Sequence, residues 1–268
     1  MTLPGFSSCA MAELEFAQLT DVGCVREENE DAVASWDLAG GVLFAVADGL
    51  GGYAAGEVAS ALALEVLREQ TASAPKTWAL GKALRRAVQE ANLRLYQRTI
   101  TVSELRGMAT TLTATAVTGA SLTTVHVGDC RLLLLRDGTL TQLTKDHTWV
   151  AEQVQYGLMS AQQARTHPKR NMLTRCLGRE LIVSIDVLTL PIRRGDVLIQ
   201  CSDGMHGTIE DAEISALVRD SDPDASCRAL LEHARNAGAP DNVSVQVAIV
   251  RECDDVEPAP RRWWQLRR

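Results

Sequence analysis

Residues 131–143 read RLLLLRDGTLTQL. Two strand-like runs, 131–136 and 139–143, are separated only by Asp137-Gly138. A two-residue Asp-Gly connection between such runs is a strong hairpin signal, because both residues tolerate the left-handed backbone that a tight turn needs. The neighbouring pairing is therefore antiparallel. Asp137 itself is read as a turn residue and nothing more, and so is Asp196 in RRGDV.

The rest of the chain is read around that hairpin. Strand signals fall at 14–19, 32–36 and 42–47. Two amphipathic helices follow. The segment 57–70 puts Val58, Leu62 and Val66 on one face, and 80–95 does the same with Leu80, Leu84, Ala87, Val88, Ala91 and Leu95. Thr- and Val-rich strands are expected at 110–117 and 122–127. The segment 146–180 is mixed and polar, with a capping box Ser160-x-x-Gln163 opening a short helix. Strands resume at 182–190 and 197–201, helices at 211–219 and 224–236, and a last strand at 243–250. Strand blocks around two helical blocks give an α+β fold with antiparallel sheets covered by helices. Composition shifts only at the ends. Residues 1–12 read as a loose segment, 13–251 as a single domain, and 252–268 as a flexible tail that includes RRWWQLRR.

With 268 residues, 46% of them hydrophobic, the chain can bury a sizeable core. Its net charge of −7 excludes a global basic footprint for nucleic acid. No apolar run approaches the ~20 residues of a membrane span, and the N-terminus lacks the basic and apolar regions of a signal peptide. Seven cysteines without a C-x-x-C argue against a disulfide framework or a thiolate zinc site. The expectation is a monomeric cytoplasmic protein with reduced thiols, Cys130 and Cys201 among them as small packing residues.

The chemistry lies in aspartates at strand ends: Asp31 in NED, Asp48 in VADGLGG, Asp129 in VHVGDCR, Asp203 in QCSDG and Asp241 in APDNVSV. If the strands share a core, these anions converge at one edge, where they repel and need cations. The motifs hold no lysine, and the five histidines show no metal-ligand spacing. Oxygen-rich, sulfur-poor donors suit Mg²⁺ or Mn²⁺ rather than zinc. The glycines after Asp48 match neither a P-loop nor a dinucleotide loop. Taken alone, Asp-Gly is a turn and Arg26 a surface arginine; the set of motifs carries the argument.

DVGCVREENEDA (21–32), VADGLGG (46–52), GMATT (107–111), VGDCR (127–131), LTKDHTWV (143–150), CSDGMHG (201–207) and APDNVSV (239–245) stand in the order and spacing of the metal-dependent protein phosphatases. The chain resembles that family (PPM, or protein phosphatase 2C) over about residues 14–250, and HPKRNMLTRCLG (167–178) is similar to the flap of its compact bacterial members. The resemblance implies a four-layer α-β-β-α sandwich with two Mn²⁺ or Mg²⁺ ions at one end of two antiparallel sheets, and a weaker third ion. It implies Asp48 as the carboxylate shared by both metals, the Gly49 carbonyl as a ligand of one, and Asp203 and Asp241 as ligands of the other. Glu30 and Asp31 resemble the acidic pair that holds metal-bound waters, Asp129 and Asp203 the third-ion site, and Arg26 the guanidinium that grips phosphate through its planar fork. Leu50, Ala109 and Cys130 depart from common family residues without removing a ligand, but Leu50 supplies no proton to a leaving group. The implied function is hydrolysis of phosphoserine and phosphothreonine by direct attack of a dimetal-activated water, with a metal-bound water protonating the leaving oxygen. Phosphoproteins, including a cognate Ser/Thr kinase and its substrates, are the implied partners. A silent phosphatase-fold binding module and a small-molecule phosphomonoesterase are the alternatives.

Overall fold

A computed structural model describes residues 12–51, 55–219 and 221–253. Nearly all of the expected N-terminal segment and tail, and the end of the VADGLGG motif, lie outside the described residues.

One sheet has the order β1-β11-β10-β7-β8, formed by β1 (Glu13–Asp21), β11 (Val243–Glu252), β10 (Val197–Cys201), β7 (Arg131–Arg136) and β8 (Thr139–Gln142). The other has the order β2-β3-β5-β6-β9, formed by β2 (Asp31–Leu38), β3 (Gly41–Leu50), β5 (Leu112–Thr118), β6 (Ser121–Val127) and β9 (Asp186–Pro191), with the two-residue β4 (Ala109–Thr110) paired to the end of β3. Every pairing is antiparallel. The β7–β8 hairpin turns at Asp137, whose φ of 51° is the left-handed value that the tight turn requires.

Period-two alternation decides which layer each side chain joins. In β3, Leu43, Ala45 and Ala47 face α1 (Ala55–Ser73) and α2 (Leu80–Thr101) and pack with Ala59, Leu67, Leu84 and Leu95. In β10 and β11, Ile199, Cys201, Val245 and Val247 face α6 (Asp211–Val218) and α7 (Pro223–Asn236), against Ile214, Val218, Cys227 and Leu230. Between the sheets Phe44, Val117 and Leu122 meet Leu132, Leu198, Ala248 and Val250. Three apolar interfaces make four layers, α-β-β-α, as expected. Burying one such side chain contributes ~1.5–3 kcal/mol. The polar stretch contains α3 (Trp149–Gln155) and α4 (Ala161–Arg165), the latter opened by the expected Ser160–Gln163 capping box. A four-residue α5 (Asp203–His206), too short for a periodicity signal, follows β10.

The inter-sheet layer changes character along the strands. Toward one end it is apolar. Toward the other, Gln200 Nε2 donates to Gln246 Oε1 (2.8 Å), Thr115 Oγ1 donates to Gln200 Oε1 (2.6 Å), and Gln246 Nε2 donates to Gln18 Oε1 (2.9 Å). That polar end is where the strand-terminal aspartates lie.

Three strand expectations are corrected. The strand read as ending at Ala47 continues through Asp48 and Gly49 to Leu50, because Gly49 and Leu50 pair with Thr110 and Ala109. The strand read over 110–117 is interrupted at Thr111, whose backbone N–H goes to Asp48 O (2.9 Å) instead of continuing one ladder. The strand read from 182 starts at Asp186; Ile182 is 81% exposed, so its apolar character marks no buried face.

Candidate metal centre

Asp48 lies in the last turn of pleat of β3 and is held by its backbone. Its N–H donates to Thr111 Oγ1 (2.9 Å), and its carbonyl accepts from Thr110 Oγ1 (2.8 Å) and Thr111 N–H (2.9 Å). With the main chain fixed this way, the carboxyl is free for other partners. Gly49 follows where chains cross closely: a Cβ there would meet Gly56 O at 2.2 Å and Glu30 O at 2.5 Å. Only glycine fits this approach. Gly49 N–H donates to Glu30 O (3.1 Å), and the Glu30 carboxylate accepts from Gly56 N–H in the first turn of α1. A negative group there also meets the positive end of the helix.

Asp31 opens β2 directly opposite Asp48 in the register of β2 and β3. Ser202, the residue before α5, donates to Asp31 Oδ2 (2.7 Å). Asp203 is the first residue of α5, and its carboxyl lies beside that of Asp48. Asp241 precedes β11; Arg26 Nη2 donates to its Oδ2 (2.9 Å). Arg26 is half exposed and commits one of its five donors to this contact. Asp129 follows β6 and is buried, and its carbonyl accepts from His206 Nε2 (3.0 Å).

The electrostatics are those of crowded anions. Burial, then the charge of Asp203 and Asp241, pushes Asp31 up to about 7. Burial and Asp241 push Asp203 up to about 6. Asp48 is held far above the usual carboxylate range by burial and by Asp31, Asp203, Asp129 and Asp241. Asp129 is raised by burial and Asp203, and Glu30 by burial. Like charges and low dielectric both disfavour ionisation, and a nearby cation reverses both. The donors are oxygens throughout, which suits a hard divalent ion. Among the described residues no three His, Cys, Asp or Glu side chains are grouped so as to hold a metal ion; Ser202, Arg26 and the Gly56 N–H partner the carboxylates instead. The donor set thus fits divalent ions in charge and chemistry.

Glu30, Asp31, Asp48, Gly49, Asp203, Asp241 and Arg26 are drawn into this one network, and Asp129 joins it through its field on Asp48 and Asp203. Sequence reasoning missed Thr111, Ser202, Asn242 and His206. The signal for the first three is a polar residue at a strand end within the same motifs; His206 closes the short α5 and carries no such signal.

The protein phosphatase 2C profile matches residues 25–246. The chain belongs to the protein phosphatase 2C family. It is 39% identical over 248 residues to the serine/threonine protein phosphatase PstP of Mycobacterium tuberculosis, covering 92% of this chain and 47% of that protein. The chain therefore spans about half the length of PstP. It is 34% identical over 237 residues to the serine/threonine phosphatase stp of Listeria welshimeri, with 84% of this chain and 92% of that protein covered. Among family members of known structure, the catalytic domain of PstP in complex with two manganese ions superposes with a TM-score of 0.79 at 38% identity, covering 89% of this chain and 99% of that one. The family fold accounts for both sheets and the flanking helices. Among the described residues no helix is long and apolar enough to cross a membrane.

Proposed function

We propose that this chain is a metal-dependent protein serine/threonine phosphatase. The observation that carries the proposal is the gathering of Asp31, Asp48, Asp129, Asp203 and Asp241 into one mutually repelling set beside Arg26. A binding module has no use for buried carboxylates pushed out of their normal range, whereas a divalent-cation hydrolase does. Asp48, the Gly49 carbonyl, Asp203 and Asp241 would hold two Mn²⁺ or Mg²⁺ ions, with Glu30 and Asp31 fixing their waters and Asp129 with Asp203 a weaker third. Such ions acidify a water, orient it in line and neutralise phosphoryl oxygens.

The chain's own residues do the rest. Arg26 has four donors beyond the one given to Asp241, in a planar fork that matches two phosphate oxygens. Thr110 and Thr111 hold the Asp48 main chain, so its carboxylate enters the site in one orientation. Ser202 orients Asp31. Leu50 brings no proton donor, so the acid function is not supplied from that position. The substrates are phosphoserine and phosphothreonine in proteins, including those of a cognate kinase, and the enzyme works as a cytoplasmic monomer. Support for the substrate class comes from the names of the relatives, and for the metal from the manganese in the PstP catalytic domain.

The test is a phosphopeptide assay with Mn²⁺, with EDTA, and with Asp203→Ala. Turnover that needs the metal and is lost in the variant is expected. Activity that survives both EDTA and the substitution would overturn the metal site, and no turnover of any phosphopeptide in Mn²⁺ would favour a binding role.

A further inference from the structure

Residues 22–30, between β1 and β2, contain neither helix nor strand, yet they carry Arg26 and end on Glu30. A loop of this kind has no ladder to hold its backbone. One side chain from the far end of the sequence does so. Asn242 Nδ2 donates to Val22 O (3.0 Å) and to Glu28 O (2.9 Å), and Asn242 Oδ1 accepts from Glu30 N–H (2.8 Å). Three of the roughly four hydrogen bonds available to an amide side chain therefore go to this loop, on both sides of Arg26. Asn242 is only 5% exposed, so bulk water does not replace them. Its own N–H donates to Asp241 Oδ1 (3.0 Å), while Arg26 reaches the other oxygen of the same carboxylate.

Packing tightens the same joint. Cys24 N–H donates to Ala239 O (2.9 Å), and a Cβ on Gly23 would meet Asp241 O at 2.2 Å. The loop and residues 239–242 have one relative position. Asparagine suits the pivot chemically: aspartate would set an anion against two carbonyls, and serine is too short to reach three backbone groups.

We propose that Asn242 is a positioning residue that locks the Arg26 loop to Asp241, so that the phosphate grip and that carboxylate are set as one unit. The proposal rests on the phosphatase reading for its kinetic arm only. The protein is tested with Asn242→Asp, which keeps the acceptor to Glu30 and loses both donors, and with Asn242→Ala, which loses all three without adding charge. Each is also made in an Arg26→Ala background.

Without substrate, hydrogen exchange is expected to accelerate over residues 22–31 in both variants while residues 243–252 keep their protection. At saturating Mn²⁺ the KM for a phosphopeptide is expected to rise roughly tenfold, the effect of about one lost hydrogen bond. The change in kcat should stay within about threefold, as for lost uniform binding. In the Arg26→Ala background the substitutions should change KM by less than about twofold, because the two residues act through one contact. Unchanged exchange over 22–31, equal acceleration over 243–252, or a KM effect of full size without Arg26 would overturn the proposal. A wild-type protein that turns over no phosphopeptide would overturn the phosphatase reading instead, and the exchange experiment would still decide the role of Asn242.

Discussion

The two ends of the layer between the sheets use the same strands in opposite ways. At one end Phe44 of β3 meets Phe16 of β1 with ring centroids 5.5 Å apart, among Val117, Leu198 and Val250. At the other, the same alternating positions are Asp48 in β3, Thr113 and Thr115 in β5, Gln200 in β10 and Ser244 and Gln246 in β11, all tied by hydrogen bonds. The apolar end needs only volume and shape. The polar end needs each donor matched, since an unpaired buried polar group costs more than a bond gains. One end supplies stability, and the other supplies a rigid platform for anions that repel one another.

That contrast can be broken from either side. Phe44→Ala should have the largest effect, a loss of ~3–5 kcal/mol in denaturant unfolding, with turnover per folded molecule unchanged. A matching fall in kcat would mean that the two ends are not separable. Asp203→Asn should do the reverse. Metal-dependent turnover should fall more than roughly 100-fold, beyond what loss of an outer partner costs. The thermal midpoint in EDTA should rise, because one member of the repelling set is gone.

Gln200→Leu should cost about 1–3 kcal/mol by stranding Gln246, Thr115 and two backbone carbonyls, and the double variant Gln200→Leu/Gln246→Leu should recover part of it. An additive double loss would show that packing, not pairing, governs this region. The smallest effect concerns pH. Burial and the neighbouring His147 depress His126 to about 4. Between its unfolded value near 6.5 and about 4, the unfolded chain binds the extra proton, so stability is lost as pH falls through that window. Relative to the parent protein, His126→Asn should gain about 1–2 kcal/mol of stability on going from pH 7 to 5, read as the difference between the two proteins' unfolding at each pH.

Much of this was legible in the chain. The apolar runs of β3, β10 and β11 survive in the structure because these strands are buried on both faces, and the helical periods of α1, α2 and α7 survive because each helix buries one. The aspartates were legible as strand-end residues, and their convergence follows once the two sheets stack. What was not legible is how the site is held. Thr111 leaves the ladder to bind both backbone groups of Asp48, a choice set by β4 pairing across from Gly49. Asn242 reads in sequence as the neighbour of an acid, and its partners lie more than two hundred residues away. Ile182 shows the opposite error: it faces solvent, while its β-branched neighbours Val183 and Ile185 pack against the core without forming a strand.

The register of β1 with β11 has a consequence for how this domain can be joined to anything else. Glu13 lies opposite Glu252, and Asp21 opposite Val243, so both outer strand ends leave from the edge farthest from the carboxylates. Ten residues of β11 separate that edge from the site, about 33 Å at ~3.3 Å per residue. A tether attached at either end would leave the domain on the side away from the carboxylates. The same tether would have to double back over the length of the sheet before it could present a phosphorylated residue to its own domain.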